Sequence, residues 1–538
     1  MPKINIDIND LKNLLKMEIK ENELFEILSL LKCEVETIIN NKITIEVTSD
    51  RPDLFSCEGI ARAIKIYLKG YEWEPKILNS EPIKLFVDKS VENIRPYIVA
   101  VAIKGVELNE EAIIQIMQLQ EKLHSTYCSN RKKGSIGIYD LDKVSPPLYY
   151  KALNPKEINF IPLGYSKVMN GFDILKYTSK GMEYSWILEG KDKFPLLYDS
   201  KGIVLSMPPI INSEDTKVTE NTKNIIIDVT GIDENIINSC LNIMSTSILE
   251  RGGSIQFFEI VYENRKIKTP NLNSIKTKLN INTVNKVLGL NLNSEEIIKL
   301  LSKMGHKVSN NFEIISPPYR IDILHEIDLI EDIAIALGLN NIPPEIPKIA
   351  TIGKPLKNSR IRARIRDLMI GMGFQEVITY ILSSRNILEE KSLMKKREFV
   401  EIINPISSEY AVLRDCLIPK LLYFLSRNLH QPYPQRIFEY GDVVYIEEGK
   451  AKISTHLAAV IADYKVSYED IQAIVVSLFK NLSKNISFKP YNDMPFIEGR
   501  AAKIILEGME IGVVGEISPK VIINFGLETP VGAFECEI

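Results

Sequence analysis

The sequence predicts an α+β multidomain protein with four parts: a small N-terminal α/β domain over residues 1–75, a β-rich domain over 80–265, a helical module over 269–346, and a C-terminal antiparallel sheet with helices over 350–538. Three observations predict it. At 538 residues the chain is too long for one hydrophobic core. Strand-like runs dominate the middle of the chain, and their alternation with one good helix suggests an α+β domain. Two proline-containing stretches, WEPKILNSEPIK and NIPPEIP, punctuate it.

From the N-terminus, INIDI reads as a strand, Asn22 through Leu31 as a helix, ITIEV as a second strand, and the segment after TSDRPDLFSCEG as a second helix ending near Gly70. Beyond the first proline stretch, β-like runs dominate: YIVAVAIKGV, GSIGIYDL, YSWILEG, GIVLSM, NIIIDVTG and SIQFFEIVY, with one good helix in NEEAIIQIMQLQEKLHSTY. A largely helical module follows IKTPNL and closes at NIPPEIP. The last part opens with SRIRARIRDLMIGMGF, where Ser359 is placed to cap a helix whose apolar face carries Ile361, Ile365, Leu368 and Met369. Strands are expected at EVITYIL, QRIFEYGDVVYI, AKIILEG and EIGVVGEI. There is no internal repeat.

Composition narrows the function. With 45% apolar and 25% charged residues the chain has ample core material for a soluble globular protein. No stretch approaches about eighteen uncharged apolar residues, and MPKINIDIND lacks a signal-peptide pattern, so the expectation is a cytoplasmic protein with no membrane partner. The six cysteines lack metal or redox spacing and read as buried reduced thiols. A net charge of −4 gives no global basic field, so nucleic-acid contact must come from local patches or a partner chain.

The run SPPYRIDILHEIDLIEDIAIALG concentrates acids. Pro317 and Pro318 exclude a helix start before them, and Asp322 stands as an N-cap candidate. Asp328, Glu331 and Asp332 fall at i, i+3 and i+4, on one face, and Asp322 is close enough to fold back onto it. Spacing alone admits two readings. One is a solvated or salt-bridged face that answers the helix dipole. The other is a magnesium site, since oxygen ligands without Cys or His favour a hard cation and like charges so placed repel unless a cation separates them.

A second constellation lies in the β-rich part. Gln120 and His124 share the helix face of Ile113, Ile116 and Met117, and Asp228 and Thr230 share a strand face with Ile226 before Gly231. These residues either line a pocket or are ordinary core and turn polar groups satisfied by backbone.

The segment YRIDILHEIDLIEDIAIALGLNNIP resembles the metal-binding helical module of the phenylalanyl-tRNA synthetase beta-subunit family, in its Arg-x-Asp, its Asp-Leu-x-Glu-(Glu/Asp) and its Asn-Ile-Pro exit. EVTSDRPDLFSCEGIARAI, RKKGSIGIYDLDKV, SMPPIINSEDTKVT and GRAAKI match the same family in the same order. The resemblance spans essentially the whole chain and is closest to the shorter archaeal and eukaryotic-type form. It implies Mg2+ ligands at Asp322, Asp328, Glu331 and Asp332. It also implies that the β-rich part hydrolyses mischarged tyrosyl-tRNA, in an editing pocket comprising Gln120, Arg131, Leu197, Ser206, Asn212, Asp228 and Thr230. A second sieve is needed because an apolar phenylalanine site rejects one added hydroxyl only by about a hundredfold. Arg131, with Lys132 and Lys133, offers charge for terminal phosphates.

The last part resembles a class II synthetase core without its activity. The family's Gly-rich strand-helix ending in an ATP-gripping arginine is missing, FIEGRAAKII offers only Gly499 and Arg500, and RIFEYG only Arg436 and Glu439. The resemblance therefore implies an alpha2-beta2 assembly in which the alpha subunit binds ATP and phenylalanine, while this chain scaffolds, contacts the tRNA specific for phenylalanine and edits. The alternative is a structural subunit with a vestigial pocket. A stand-alone magnesium phosphotransferase lacks any Gly-rich phosphate loop.

Overall fold

The structure is a computed structural model and describes residues 1–17, 19–70, 74–309 and 311–538. Trp73, first residue of the expected linker stretch, lies outside the described residues. The chain forms two compact units, residues 1–346 and 347–538, and the fold is mixed α+β.

The first unit begins with a three-stranded antiparallel sheet of Lys3–Asp7, Lys42–Val47 and Cys33–Ile39, in that spatial order. The expected first strand stops one residue early. Asp7 accepts hydrogen bonds from the backbone N–H groups of Asn9 and Asp10 and starts a helix, Ile8–Leu15, that the strand-like alternation concealed. Helix Cys57–Lys69 is capped by Ser56 and ends at Gly70 in a left-handed conformation, φ 64°. Gly59 is obligatory there, because a Cβ would sit 1.8 Å from the Asp53 carbonyl oxygen.

A ten-stranded sheet forms the middle of this unit. Its order runs Ile211–Asn212, Val204–Met207, Phe194–Asp199, Leu148–Leu153, Ile83–Val87, Ser254–Val261, Tyr97–Lys104, Asn224–Gly231 and Gly134–Asp140, with Lys266–Thr269 paired beside Ser254–Val261. Helix Glu234–Leu249 packs on Tyr97–Lys104 and Asn224–Gly231, which explains why those strands are apolar on both faces. The sheet curls until its two outermost strands meet. Asp140 N donates to Thr216 O at 2.9 Å, and Arg131 Nη1, just before one edge strand, donates to Ile210 O at 2.9 Å, just before the other. The expected strand YSWILEG is instead a 3-10 turn, Ser185–Leu188, whose neighbours Tyr184 and Leu188 are buried four residues apart, a helical spacing.

The module expected to be largely helical is mixed. Helices Ile281–Leu288, Ser294–Lys303 and Glu326–Leu337 accompany a three-stranded sheet of Ile275–Lys278, Glu313–Ser316 and Lys307–Val308. Strands of two to four residues carry too little alternation to be read from sequence.

The second unit is a seven-stranded sheet ordered Gln375–Glu376, Gln435–Glu447, Lys450–Ala462, Val531–Glu537, Met509–Ile517, Phe496–Leu506 and Ile486–Pro490; only the first pairing is parallel. Helices Lys357–Gly371 and Tyr468–Asn481 cover one face with Phe438 and Phe534, and Ile418–Ser426 and Pro519–Phe525 the other with Ile437 and Ala533. Two expectations change. Ser359 is inside the first helix rather than its cap, which falls at Leu356. EVITYIL is strand only at its ends, Gln375–Glu376 and Leu382–Ser383, and Ile378 and Tyr380 between them are exposed. All six cysteines are free thiols, five of them buried and Cys416 only partly so.

Candidate functional site

The meeting edges of the ten-stranded sheet enclose a cavity of ≈ 360 Å³. Five of the seven residues expected in the pocket line it: Gln120, Arg131, Ser206, Asn212 and Asp228. The other two stand behind its wall. Leu197 is fully buried as the cross-strand partner of Ser206, and Thr230 accepts from Arg95 Nε at 2.9 Å and lies 3.0 Å from the lining Ser135. Ile113, Met117, Ile136, Ile138, Pro209 and Val218 supply apolar walls, while Leu163, Gly164 and Lys217 form an exposed rim.

The closed end is polar. Asp228 lies opposite Gly137 on the neighbouring strand, and Tyr139, two residues on, faces the same way. The Tyr139 hydroxyl donates to Asp228 Oδ1 at 2.5 Å and is 2.8 Å from Ser206 Oγ. Gly137 makes room for this, since a Cβ would fall 1.9 Å from the phenol oxygen and 2.4 Å from Asp228 Oδ1. Burial raises the Asp228 carboxyl to about 7, against the hydrogen bond from Tyr139 and the charge of Arg95. Burial pushes the Tyr139 phenol well above its ordinary value.

A braced layer holds the opposite wall. Gln120 Nε2 donates to Ile136 O at 2.7 Å. His124 Nε2 accepts from Ile136 N at 2.8 Å, which leaves Nδ1 to carry the proton toward Glu121, 3.4 Å away. Burial lowers the His124 imidazole to about 4, so it is neutral near pH 7. Arg131 Nη2 donates to Glu121 at 2.6 Å, and its guanidinium stacks 4.4 Å from the Tyr184 ring. Burial would raise Glu121, yet His124, Arg131 and Lys180 together hold it well below the usual carboxylate range. Sequence reasoning missed Tyr139, Glu121 and Gly137; a Gly and a Tyr two apart on an otherwise apolar strand were the signal available. Among the described residues lining this pocket, no Ser, Thr or Cys is hydrogen-bonded directly to a histidine or carboxylate; Ser206 reaches Asp228 only through the Tyr139 hydroxyl.

The acidic run is arranged differently from the expectation. The N-cap of helix Glu326–Leu337 is His325, not Asp322. Asp322 instead accepts from Arg320 Nη2 at 2.8 Å. Asp332 is buried, 2.6 Å from Arg320 Nη2 and 2.7 Å from His306 Nε2, and these partners outweigh burial to hold its carboxyl well below the ordinary range. Asp328 accepts from the N–H groups of Leu324 and His325 at 2.8 and 2.7 Å, closing the capping box. Glu331 is exposed and pairs with Lys32 at 2.9 Å. Each carboxylate is thus neutralised by a protein cation or backbone donor. In this arrangement the four do not fit a magnesium site, and among the described residues no three His, Cys, Asp or Glu side chains are grouped to hold a metal.

In the second unit Glu439 accepts from Arg414 Nη1 and from the Thr379 hydroxyl, both at 2.7 Å, in a buried pair that sequence reasoning did not foresee. Among the described residues no helix is long and apolar enough to cross a membrane.

Comparisons with known proteins bear on all of these parts. Residues 113–263 match the model of the B3/4 domain, residues 277–339 that of the tRNA synthetase B5 domain, and residues 342–538 that of the phenylalanyl tRNA synthetase beta chain CLM domain. The chain is 39% identical over 548 residues to a phenylalanine–tRNA ligase beta subunit of Thermococcus sibiricus, covering 99% of this chain and 98% of the relative. It is 40% identical over 549 residues to one of Pyrococcus furiosus, covering 99% of each. The crystal structure of an N-terminal fragment of the phenylalanyl-tRNA synthetase beta-subunit from Pyrococcus horikoshii is similar with a TM-score of 0.58 and 38% identity, over 62% of this chain and 99% of the fragment.

Proposed function

The chain belongs to the phenylalanine–tRNA ligase beta-subunit family, and from that premise we propose that it is the proofreading and scaffolding subunit of a cytoplasmic alpha2-beta2 ligase that attaches phenylalanine to its tRNA. Its middle domain hydrolyses tyrosyl esters formed in error on that tRNA, while the alpha subunit binds ATP and phenylalanine. The observation that carries this reading is the cavity's polarity: apolar walls for an aromatic ring, closed by Asp228, Tyr139 and Ser206 where a tyrosine hydroxyl needs partners. A buried polar end that the phenylalanine ring cannot engage gives discrimination that an apolar pocket cannot. Water positioned at the ester does the cleaving, with Asn212, Gln120 and the backbone of the edge strands orienting it and the substrate. Exposed Ile378, Tyr380, Ile403 and Ile406 in the second unit support a protein partner there. The Arg414–Glu439 pair supports the assignment of ATP chemistry to the other subunit, because it engages a buried arginine internally.

Asn212→Trp fills the cavity, so the assembled ligase carrying it should deacylate tyrosyl-tRNA specific for phenylalanine at least about tenfold more slowly, with phenylalanine attachment unchanged. Undiminished deacylation would reject the pocket, and no deacylation by the unaltered ligase would favour a vestigial one.

The pH dependence is a separate test. Ionised Asp228 is the acceptor for the substrate phenol, so the deacylation rate relative to spontaneous hydrolysis should rise with a midpoint near pH 7, where its carboxyl titrates. Tyr139→Phe removes a hydrogen bond that stabilises the carboxylate, and the midpoint should move upward. The stability effect has the opposite sense: the folded pKa is raised from 3.8 to about 7, so this group's contribution declines as pH rises through that interval. A profile flat from pH 5 to 8 in both proteins would contradict the acceptor role.

A further inference from the structure

The polar junction between the N-terminal segment and the acidic module sets three buried guanidinium groups, Arg51, Arg62 and Arg320, against the carboxylates of Asp53, Asp322 and Asp332, with half-exposed Lys303 as a further cation on the rim. A cavity of ≈ 10 Å³ at this junction is lined by Arg51, Asp53, Arg62, Lys303, Tyr319 and Arg320, among others. That is room for about one water-sized sphere. Arg51 is answered by Asp53, with Nε and Nη2 both at 2.8 Å from its oxygens. Arg320 is answered by Asp322 and Asp332. Among the described residues Arg62 has no hydrogen-bonded carboxylate, and the nearby charge of Asp53 is already bonded to Arg51. It is 1% exposed, its guanidinium carbon lies 3.9 Å from the centre of the Tyr319 ring, and neither Nη1 nor Nη2 has a hydrogen-bond partner among the described residues. Lys303 on the rim reaches toward the Tyr67 ring, 5.1 Å away, rather than a carboxylate.

A ring face attracts a guanidinium but gives its in-plane N–H groups no acceptor, and a buried charge left so is costly. A water molecule would accept one or two of these hydrogen bonds but bring no charge to the guanidinium. A divalent cation is repelled by three guanidinium groups, and phosphate or sulfate is too large for the space. The geometry points to a buried halide site, in which a chloride ion accepts from Arg62 Nη1 and Nη2 within the field of Arg51, Arg320 and Lys303. Arg51, Asp53 and Arg62 come from the N-terminal segment, and Lys303, Tyr319 and Arg320 from the acidic module. Chloride therefore ties these two parts of the first unit together, beside the Arg320 that holds Asp322 and Asp332.

The purified full-length chain should melt about 1–3 °C higher as chloride replaces gluconate at constant ionic strength, with a saturable dependence. Crystals grown in bromide should show an anomalous peak within about 3.5 Å of the Arg62 terminal nitrogens. Arg62→Met keeps the stem over Tyr319 and should abolish both signals. Lys303→Gln, at a half-exposed position that folding tolerates, should raise the chloride midpoint at least threefold even where Arg62→Met fails to fold. Equal melting in the two salts, a cavity containing only water in bromide crystals, a halide response that survives Arg62→Met, or an unchanged midpoint in Lys303→Gln would each overturn the site.

Discussion

Replacing Arg320 with methionine is expected to destabilise the first unit by about 3–5 kcal/mol in urea unfolding, the usual consequence of removing one partner from a buried ionic cluster. Arg320 is 1% exposed and serves three acceptors: Asp322, Asp332 and the Met304 carbonyl. Without it two carboxylates stay in place with their main cation gone. The double variant Arg320→Met with Asp332→Asn should recover a substantial part of the loss, because the worst-placed charge leaves with its partner. A single-variant loss under about 1 kcal/mol would mean that something other than Arg320 neutralises these acids, a metal ion included.

The second large effect is expected at Asp228. Asparagine there preserves shape but not charge, and hydrogen bonds to a charged acceptor are worth enough that deacylation of tyrosyl-tRNA specific for phenylalanine should fall on the order of 10²-fold. Phenylalanine attachment by the assembled ligase should not change, since the cavity lies in the part of this chain assigned to proofreading. A variant that deacylates at the unaltered rate would remove Asp228 from substrate recognition; one that loses attachment in parallel would place the cavity in synthesis.

These two positions also show what sequence pattern can and cannot carry. Asp228 was readable because strand alternation put it on one face with Thr230, and the structure keeps that alternation; yet Thr230 ends up bonded to Arg95 behind the wall, since its strand extends past the cavity. Tyr139 was not readable, because its role depends on pairing with a strand some ninety residues away in the chain. The acids at 328, 331 and 332 follow one another along the helix, but Asp332 is buried and Glu331 exposed, and what neutralises each is set by tertiary neighbours. Lys32 reaches Glu331 from the N-terminal segment, and His306 reaches Asp332 from the turn just before strand Lys307–Val308. The short strands of that module and the helix Ile8–Leu15 escaped notice because two-residue periodicity needs more residues than they offer, or was mimicked by a neighbouring strand.

The cavity sits where the ten-stranded sheet nearly closes on itself, bridged by few hydrogen bonds such as Asp140 N to Thr216 O. A hoop with one unstitched joint bends there first. On the proposed proofreading role, admission and release of an aromatic side chain would proceed by parting that joint by a few tenths of a nanometre, on the microsecond-to-millisecond scale of local opening, while the ladders on the far side of the hoop stay intact.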